Sequence, residues 1–556
     1  MKKRRLIICF SLILVLIMNL LVGCSKDEDT KQSNNTKATD STKQTEAKRK
    51  VLTIMRDYPG VNEEIIPGSG DYFDSNWTTR YVQENFGDPN NIDVKWDLIH
   101  SDTYIEKLTI KLASNSSPDI FYVSSGSGSF ITNMVLQGGI AELSESVDKY
   151  GSNLKKQLGE DHITTYGTMN GGLYAIPGVE DILGVSNHWM RKDWLDKLGL
   201  DVPETFDEWY TAIKMFKDED PGNLGDDVIP FGTHFLKYPT PYERIVTHFI
   251  DYESMSEEDY YAYSGYGTEH FKPGFKEGIR FLNQMYNDGL ISPEFALDGG
   301  DYDILIEDIT TGKVGSFTRN ILWPVDRHSG DKSLFDLMKE NVPDGEWVEV
   351  DCFTNKYTGK TDKPVDNPVL SYVAIPASSE VVDEAVMYLD WLIQPEQMFA
   401  LQYGIEGVTY DMVDGVPVFR SEELEARDGV TVFPESGVAV FGRQTVMMQR
   451  LPGKELSWKA RALETTVPFE TSMAALESSE RNGFFRNPPL PVAVEAIGKY
   501  VPTLRKEWQT QVTKMVMCSP EEFDQVWEEG VKAMELNGAV EVAEGKRQAY
   551  IDHIKK

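Results

Sequence analysis

Short apolar runs with strand character alternate with segments of helical period along most of this chain. Val51 to Met55 and Val369 to Ile375 are runs of the first kind, whereas Phe271 to Phe295 and Val382 to Ile393 carry apolar residues at helical spacing. This alternation is typical of α/β proteins, so we predict that fold class, with mainly parallel strand pairing. A chain of 556 residues is also long enough to form at least two domains.

The segment from Gly171 to Phe216 shows the alternation most clearly. A strand-like run from Leu173 to Val185 is followed by two short helical patterns. The first pattern ends at Gly199, the residue type best suited to a left-handed C-cap. The second begins at Thr205 with a T-x-x-E sequence, which predicts a capping box at the start of a helix.

The first 23 residues have the parts of a secretory signal peptide. Four cationic residues at positions 2–5 precede an apolar stretch from Leu6 to Val22, and segment 1–23 ends in Leu-Val-Gly before Cys24. This ending resembles the lipobox of bacterial lipoproteins, in which the signal is cleaved and the cysteine is diacylated. The alternative is an ordinary signal peptide with an incidental cysteine. Lipidation of Cys24 predicts a protein anchored to the extracellular face of the cell membrane.

The segment that follows the cysteine is strongly polar. Residues 25–50 contain no large apolar side chain, so we predict that segment 24–50 is a disordered tether. The formal net charge of the chain is −34, and loss of the four cations of the signal peptide brings it to −38. Such an acidic chain repels nucleic acid and anionic membranes, which argues against both as direct partners.

The sequence lacks the usual motifs of hydrolytic enzymes. It has no G-x-S-x-G elbow and no HExxH motif, and its eight histidines are scattered. A secreted glycoside hydrolase would need two carboxylates flanking a sugar, but no pair stands out among 89 acidic residues. We therefore predict that the protein is not an enzyme. The two cysteines beyond the anchor, Cys352 and Cys518, either pair or remain as free thiols.

Five phrases of the sequence carry a family resemblance. They are KLTIKLASNSSPDIFYV from Lys107, GGIAELSESVDKY from Gly138, HWMRKDWLDKLGLDVPETFDEWY from His188, QYGIEGVTY from Gln402 and EFDQVWEEGVKAMELNGAVEVAEGKRQAY from Glu522. In wording and order they resemble extracellular solute-binding protein family 1, the substrate-binding lipoproteins of carbohydrate-type ABC importers, in particular the long Gram-positive branch. The resemblance covers nearly the whole exported chain.

The resemblance implies a two-lobed, periplasmic-binding-protein-like α/β fold of type II, the Venus-flytrap architecture. Three hinge crossings are expected near Tyr174 to Val185, Val314 to Asn320 and Ser371 to Ala377. The implied lobes are 51–173 with 312–372 for the N-terminal lobe, and 174–311 with 373–556 for the C-terminal lobe.

The resemblance also implies a function. The protein is expected to bind a carbohydrate, in particular an oligosaccharide, by hinge closure and to deliver it as a monomer to ABC permease subunits. No cofactor is required for this activity. The alternatives are a ligand-sensing receptor without transport, a receptor for a peptide or another small molecule, and a glycoside hydrolase.

Aromatic and polar side chains near the expected crossings are candidates for sugar binding, because aromatic faces suit the C–H faces of sugar rings. Each aromatic ring has core packing as its alternative role. The Gly/Ser-rich run from Ser124 to Ser129 follows a strand, and we interpret it as a cleft loop rather than a phosphate cradle. The candidate ligand-binding residues are Trp77, Tyr174, Trp189, Arg319, Trp323 and Tyr410.

The acidic segment from Asp218 to Pro230 resembles a calcium loop found in related long binding proteins. Asp220, Asn223 and Asp227 are retained as candidate ligands, although the segment is one residue short and lacks a second aspartate. Calcium prefers six to eight oxygen ligands, and loss of an acidic ligand weakens such a site. A structural calcium ion and an acidic loop without metal are both open at this point.

Overall fold

The computed structural model of the protein describes a large part of the chain, from residue 48 to residue 555 with gaps. The described residues are 48–58, 74–114, 116–183, 187–233, 240–265, 267–296, 303–319, 321–326, 332–351, 353–355, 357, 359, 363–365, 367–420, 448–481, 483–485, 489–490 and 492–555. The predicted signal peptide 1–23, the anchor Cys24 and Cys352 lie outside them. Lys50, the last residue of the predicted tether, already belongs to the first strand.

The described strands are β1 (Lys50–Tyr58), β2 (Ile92–His100), β3 (Phe121–Ser124), β4 (Thr168–Met169), β5 (Gly172–Leu173), β6 (Ile176–Val179), β7 (Asn187–Arg191), β8 (Ile229–Gly232), β9 (Val314–Arg319), β10 (Trp347–Val350), β11 (Lys363–Val365), β12 (Val369–Ala374), β13 (Tyr410–Val413), β14 (Val416–Phe419) and β15 (Gly483–Phe485).

The described α-helices are α1 (Trp77–Val82), α2 (Tyr104–Leu112), α3 (Gly128–Leu136), α4 (Ser144–Tyr150), α5 (Ser152–Leu158), α6 (Glu160–Gly167), α7 (Lys192–Leu198), α8 (Phe206–Glu219), α9 (Thr240–Val246), α10 (Glu257–Ala262), α11 (Phe275–Asn287), α12 (Asp303–Thr310), α13 (Leu334–Asn341), α14 (Val382–Leu392), α15 (Pro395–Tyr403), α16 (Lys454–Leu463), α17 (Phe469–Glu480), α18 (Glu495–Met517), α19 (Phe523–Leu536) and α20 (Ala539–His553).

One group of strands contains the beginning of the folded chain. β1 and β2 pair in parallel, with Lys50 opposite Ile92, and a parallel bridge between Ile54 and Ile120 leads from β1 to β3. β12 lies between β3 and β6 and runs antiparallel to both. Helices α4, α5 and α14 pack apolar side chains against these strands. We call this cluster the first core, represented by Leu52, Ile54, Phe86, Leu154 and Leu389.

A second sheet has the strand order β10-β7-β9-β8. Only β8 and β9 are parallel in it, because β7 runs against both β9 and β10. Helices α7, α8, α11, α18 and α19 bury their apolar faces together beside this sheet. We call this cluster the second core, represented by Trp194, Trp209, Phe216, Ile279, Leu504 and Trp527.

The α/β class is confirmed. The expectation of mainly parallel pairing is wrong for the second sheet and for the sheet β3-β12-β6, whereas β1 and β2 are parallel. β12 comes after the second-sheet strand β10 and the short strand β11 along the chain, and it runs against both β3 and β6. Apolar periodicity is the same for either direction and carries no information on it.

The chain changes sheet between β6 and β7, within the first expected crossing. β9, which falls in segment 312–372, pairs with β7 and β8 in the second sheet. α14, which falls in segment 373–556, packs against the first core. The lobe boundaries themselves stay a prediction.

The predicted helix pair is confirmed by its caps. Gly199 ends α7 with a φ of +68°, in the left-handed region. At the start of α8 the Thr205 hydroxyl accepts the Glu208 backbone N–H at 3.3 Å, and a Glu208 carboxylate oxygen accepts the Thr205 N–H at 3.0 Å. In the part of the chain described, no helix is both long and apolar enough for a membrane crossing.

Candidate functional site

The carboxyl ends of β1 and β3 meet at one edge, because the two strands are parallel at the Ile54–Ile120 bridge. There the Tyr122 hydroxyl donates a hydrogen bond of 2.6 Å to Asp57 Oδ1. The Arg56 guanidinium carbon lies 3.5 Å from the centre of the Tyr122 ring. Burial raises the pKa of Tyr122 to about 12, so its hydroxyl remains a hydrogen-bond donor at neutral pH.

The Gly/Ser loop, residues 124–129, continues this edge. β3 ends at Ser124, a short turn follows, and α3 begins at Gly128. Ser124, Ser125 and Gly126 are exposed. A Cβ atom at Gly128 would lie 3.2 Å from the Tyr372 ring, so a larger residue here would require that ring to shift slightly. The loop therefore presents hydroxyl groups and backbone carbonyls at the carboxyl edge, where open α/β sheets bind ligands.

Helix α18 reaches this loop from the second core. Its apolar face, with Val501 and Leu504, belongs to the second core. From another face, Arg505 Nη1 donates a hydrogen bond of 2.8 Å to the Gly126 carbonyl oxygen. α18 thus connects the second core to the strand edge formed by β1 and β3.

The second sheet has its own edge at the end of β9. The Arg319 guanidinium carbon lies 5.0 Å from the centre of the Trp323 ring, and both side chains are partly exposed. Trp323 is held edge-on against Phe317, at 6.2 Å between ring centres. An indole with a guanidinium over it offers an apolar surface and hydrogen-bond donors side by side.

Two other predicted binding residues are also partly exposed. Trp77, the first residue of α1, stacks on Tyr81 with ring centres 5.0 Å apart. Tyr174 lies against Gly172, where a Cβ atom would come within 2.9 Å of its ring. Both residues therefore have fixed rings with solvent-accessible atoms.

Trp189 and Tyr410 are placed differently. Trp189 is 3% exposed and packs edge-on against Phe335 at 5.1 Å, and Tyr410 is 7% exposed and packs against Tyr403 at 5.8 Å. Neither ring offers a free face to a ligand. All five residues of β7 are buried, which explains why a tryptophan in this strand is a core residue.

Sequence reasoning missed Asp57, Tyr122 and Arg505. The first two could have been found, because each lies at or near the carboxyl end of a predicted strand. Arg505 lies in the middle of a long helix, and no local pattern marks its contact with a loop 379 residues away.

The polar groups of the acidic segment make hydrogen bonds within the chain. The Asp220 carboxylate oxygens accept the backbone N–H groups of Leu224 at 2.9 Å and Gly225 at 2.7 Å. The Lys197 ammonium donates to the Pro221 carbonyl at 2.9 Å. Among the described residues no three His, Cys, Asp or Glu side chains are grouped so as to hold a metal ion. The calcium ion suggested by the sequence therefore gains no support from the described contacts of this loop.

Comparisons with known sequences identify relatives of this chain. Residues 69–243 match the family described as bacterial extracellular solute-binding protein. Lipoprotein LipO of Bacillus subtilis (strain 168) is 27% identical over 369 residues, which are 63% of this chain and 66% of LipO. The fructooligosaccharide ABC transporter substrate-binding protein FusA of Streptococcus pneumoniae serotype 4 is 28% identical over 262 residues, 44% of this chain and 47% of FusA. The chain thus spans between about half and just under two thirds of these curated relatives.

Solved structures resemble the whole described chain. The S. pneumoniae FusA structure in complex with kestose has a TM-score of 0.62 at 16% identity, covering 91% of this chain and 99% of FusA. The alginate-binding protein AlgQ2, solved without calcium ion, has a TM-score of 0.61 at 18% identity, covering 91% of this chain and 98% of AlgQ2. These likenesses establish the fold and confirm the expected two-lobed, type II architecture.

Proposed function

Since residues 69–243 match the family of bacterial extracellular solute-binding proteins, we propose that the chain belongs to this family, binds an oligosaccharide outside the cell and delivers it to an ABC permease. The contact between Arg505 of α18 and the Gly126 carbonyl carries this proposal, because it joins the second core to the ligand-accessible edge of β1 and β3. A solute held at that edge can therefore be contacted by the two halves of the chain, the part that contains the first core and the part that contains the second core.

The chemistry of the two edges suits a sugar. Trp323 supplies an aromatic face, and Arg319 beside it supplies donors for hydroxyl oxygens. At the edge of β1 and β3, Asp57, paired with Tyr122, supplies a carboxylate acceptor. Concave sites with aromatic walls and a few fixed polar groups are the usual form of small-molecule sites.

We propose a binding set drawn from the partly exposed candidates. It comprises Trp77, Tyr174, Arg319 and Trp323, together with Asp57 at the first edge. Trp189 and Tyr410 are left out because their rings are buried.

Hinge closure is the proposed mechanism. A ligand that touches both halves in the closed state, but only one in the open state, has a higher affinity for the closed state and shifts the population towards it. No covalent step is involved. The relatives are solute-binding proteins, which are not enzymes.

The membrane anchor and the transport partner are part of the same proposal. Diacylated Cys24 would hold the protein at the extracellular face of the membrane, and one relative, LipO, is named a lipoprotein. We propose that the anchored protein meets its permease subunits in the same membrane, while a separate subunit hydrolyses ATP.

Isothermal titration of the full chain in detergent tests the proposal. Neutral fructo-oligosaccharides and acidic oligogalacturonides are titrated in parallel, and the ligand is analysed afterwards by chromatography. Saturable 1:1 binding of an intact oligosaccharide is expected for at least one class. Absence of binding to both classes, or recovery of cleaved sugar, contradicts the proposal.

A further inference from the structure

Helix α18 belongs to the second core but lies against a helix of the other half. Ile497, Val501 and Leu504 are buried in the second core. Gly498, on the same helix, faces α3, because a Cβ atom built there would lie 3.1 Å from Asn133 Oδ1. α3 packs with the strands that carry Asp57. We call the contact between α3 and α18 the seam.

Gly498 sets how closely the seam packs. Gly498 is buried, and a Cβ atom there would lie 3.1 Å from Asn133 Oδ1, which is closer than Cβ atoms usually approach other atoms. A leucine at this position would have to push α3 away from α18. The seam is therefore a direct helix contact, along which the parts of the chain that hold the two cores touch.

Arg505 closes the seam at its other end. Its guanidinium uses one N–H group for the Gly126 carbonyl, at 2.8 Å. Its other N–H groups have no acceptor in the described ranges of the chain, and the side chain is exposed. A guanidinium has five N–H donors, so most of its hydrogen-bonding capacity is free beside the Gly/Ser loop.

We propose that Arg505 is the closing residue of the cleft. Its guanidinium holds the Gly/Ser loop against α18, and its remaining N–H groups donate to hydroxyl oxygens of an oligosaccharide when one binds. Only the second part of this inference, the contact with the oligosaccharide, rests on the proposed function. The first part concerns the free protein and requires no ligand.

A distance measurement on the free protein tests the first part. Nitroxide labels are placed at Lys156→Cys on α5 and Lys532→Cys on α19, two exposed positions on helices of the first and second cores, with Cys352 and Cys518 changed to serine. The full chain without ligand is expected to show a measurable fraction of molecules at a short distance. Arg505→Ala should shift a measurable fraction of molecules to a longer distance, with Arg505→Lys between the two. Gly498→Leu should shift them without altering the arginine.

Lys506→Ala is the matched control, because Lys506 is the next exposed cation of the same helix. It should leave the distance unchanged. If Arg505→Ala keeps the distance distribution of the parent protein, the closing role of Arg505 is overturned, whatever the effect of Gly498→Leu.

Titration with the best oligosaccharide tests the second part. Arg505→Ala is expected to weaken binding about three- to tenfold, the size of one lost hydrogen bond together with a less closed free state. An unchanged dissociation constant would overturn the ligand contact. If the parent protein binds no oligosaccharide, the proposed function fails, whereas the distance measurement still decides the closing role.

Discussion

Arg505 Nη1 lies 2.8 Å from the Gly126 carbonyl oxygen, although 379 residues separate the two in sequence. Gly126 belongs to a loop at the end of β3, and Arg505 belongs to a helix of the second core. The contact therefore brings together two parts of the chain that have separate cores. The contact lies at the loop after β3, so a ligand at this edge would be within reach of both parts.

Removal of the Trp323 ring should weaken ligand binding without unfolding the protein. Trp323→Ala is expected to weaken oligosaccharide affinity by about tenfold, or ~1.4 kcal/mol, since the sugar loses its stacking surface. Titration calorimetry measures the affinity, and circular dichroism checks the fold. Trp323→Phe, which keeps an aromatic face, should recover most of the loss; equal weakening by both variants would exclude stacking.

The buried carboxyl of Asp181 should make stability depend on pH. Burial raises the pKa of Asp181 to about 6, against which the Ser457 hydrogen bond and the charges of Arg450 and Lys454 work only in part. The native state then binds more protons than the unfolded state between about pH 4 and pH 6, so stability falls as pH rises through this window. The free energy of unfolding should fall by about 3 kcal/mol at most across this window.

Urea unfolding at half-unit steps from pH 4 to pH 7 measures this effect. Asp181→Asn should flatten the profile across the window and should be more stable than the parent protein at pH 7. A parent profile that rises steadily through the same window would show that the carboxyl is not the controlling group.

Lys546 should give the opposite slope at higher pH. Burial lowers the pKa of this lysine to about 7, and its ammonium donates to the Ser264 carbonyl at 2.7 Å. Between pH 7 and about 10 the unfolded state binds more protons, so stability should rise with pH by up to about 1.4 kcal/mol per unit. Thermal melts of the parent protein and Lys546→Met test this, because the variant should lose that rise.

The capping box of α8 should contribute measurably to stability. Thr205→Ala removes the hydroxyl that accepts the Glu208 N–H and is expected to cost about 1 kcal/mol. Thr211→Ala is the matched control, since that hydroxyl only donates to the Asp207 carbonyl within the same helix. Equal losses for the two variants in urea unfolding would contradict a capping role.

The loop at Asp220 should be independent of calcium. Its carboxylate already accepts two backbone N–H groups. The Lys197 ammonium donates a hydrogen bond to the Pro221 carbonyl and so brings a positive charge next to the loop. A chelator is therefore expected to leave the melting temperature unchanged, and elemental analysis should find less than one calcium ion per chain. A drop in melting temperature that added calcium reverses would refute this.

Local chemistry made part of this structure predictable. The caps at Gly199 and Thr205 follow from residue type and spacing alone, because backbone groups at helix ends must find partners within a few residues. The resemblance of five phrases to a known family supplied the two-lobed fold. Neither inference required knowledge of tertiary contacts.

Long-range placement was not predictable in the same way. An apolar run such as β9 has the same pattern in either sheet, so sequence could not assign it to the second. Trp189 lies in a strand whose polar neighbours Asn187, His188 and Arg191 are also buried. Polar residues suggest an exposed strand, and only the cover provided by surrounding helices makes them interior.

Helix α18 has 23 residues and is fixed at its far end, where the Asn283 amide donates to the carbonyls of Met515 and Val516. At 1.5 Å per residue it is about 34 Å long, with Pro502 inside it. A tilt of only about 10° around that fixed end would move the opposite tip by roughly 6 Å, more than one helical turn. On the proposed function, small adjustments of packing at one end of α18 would thus be magnified at the end that lies against α3.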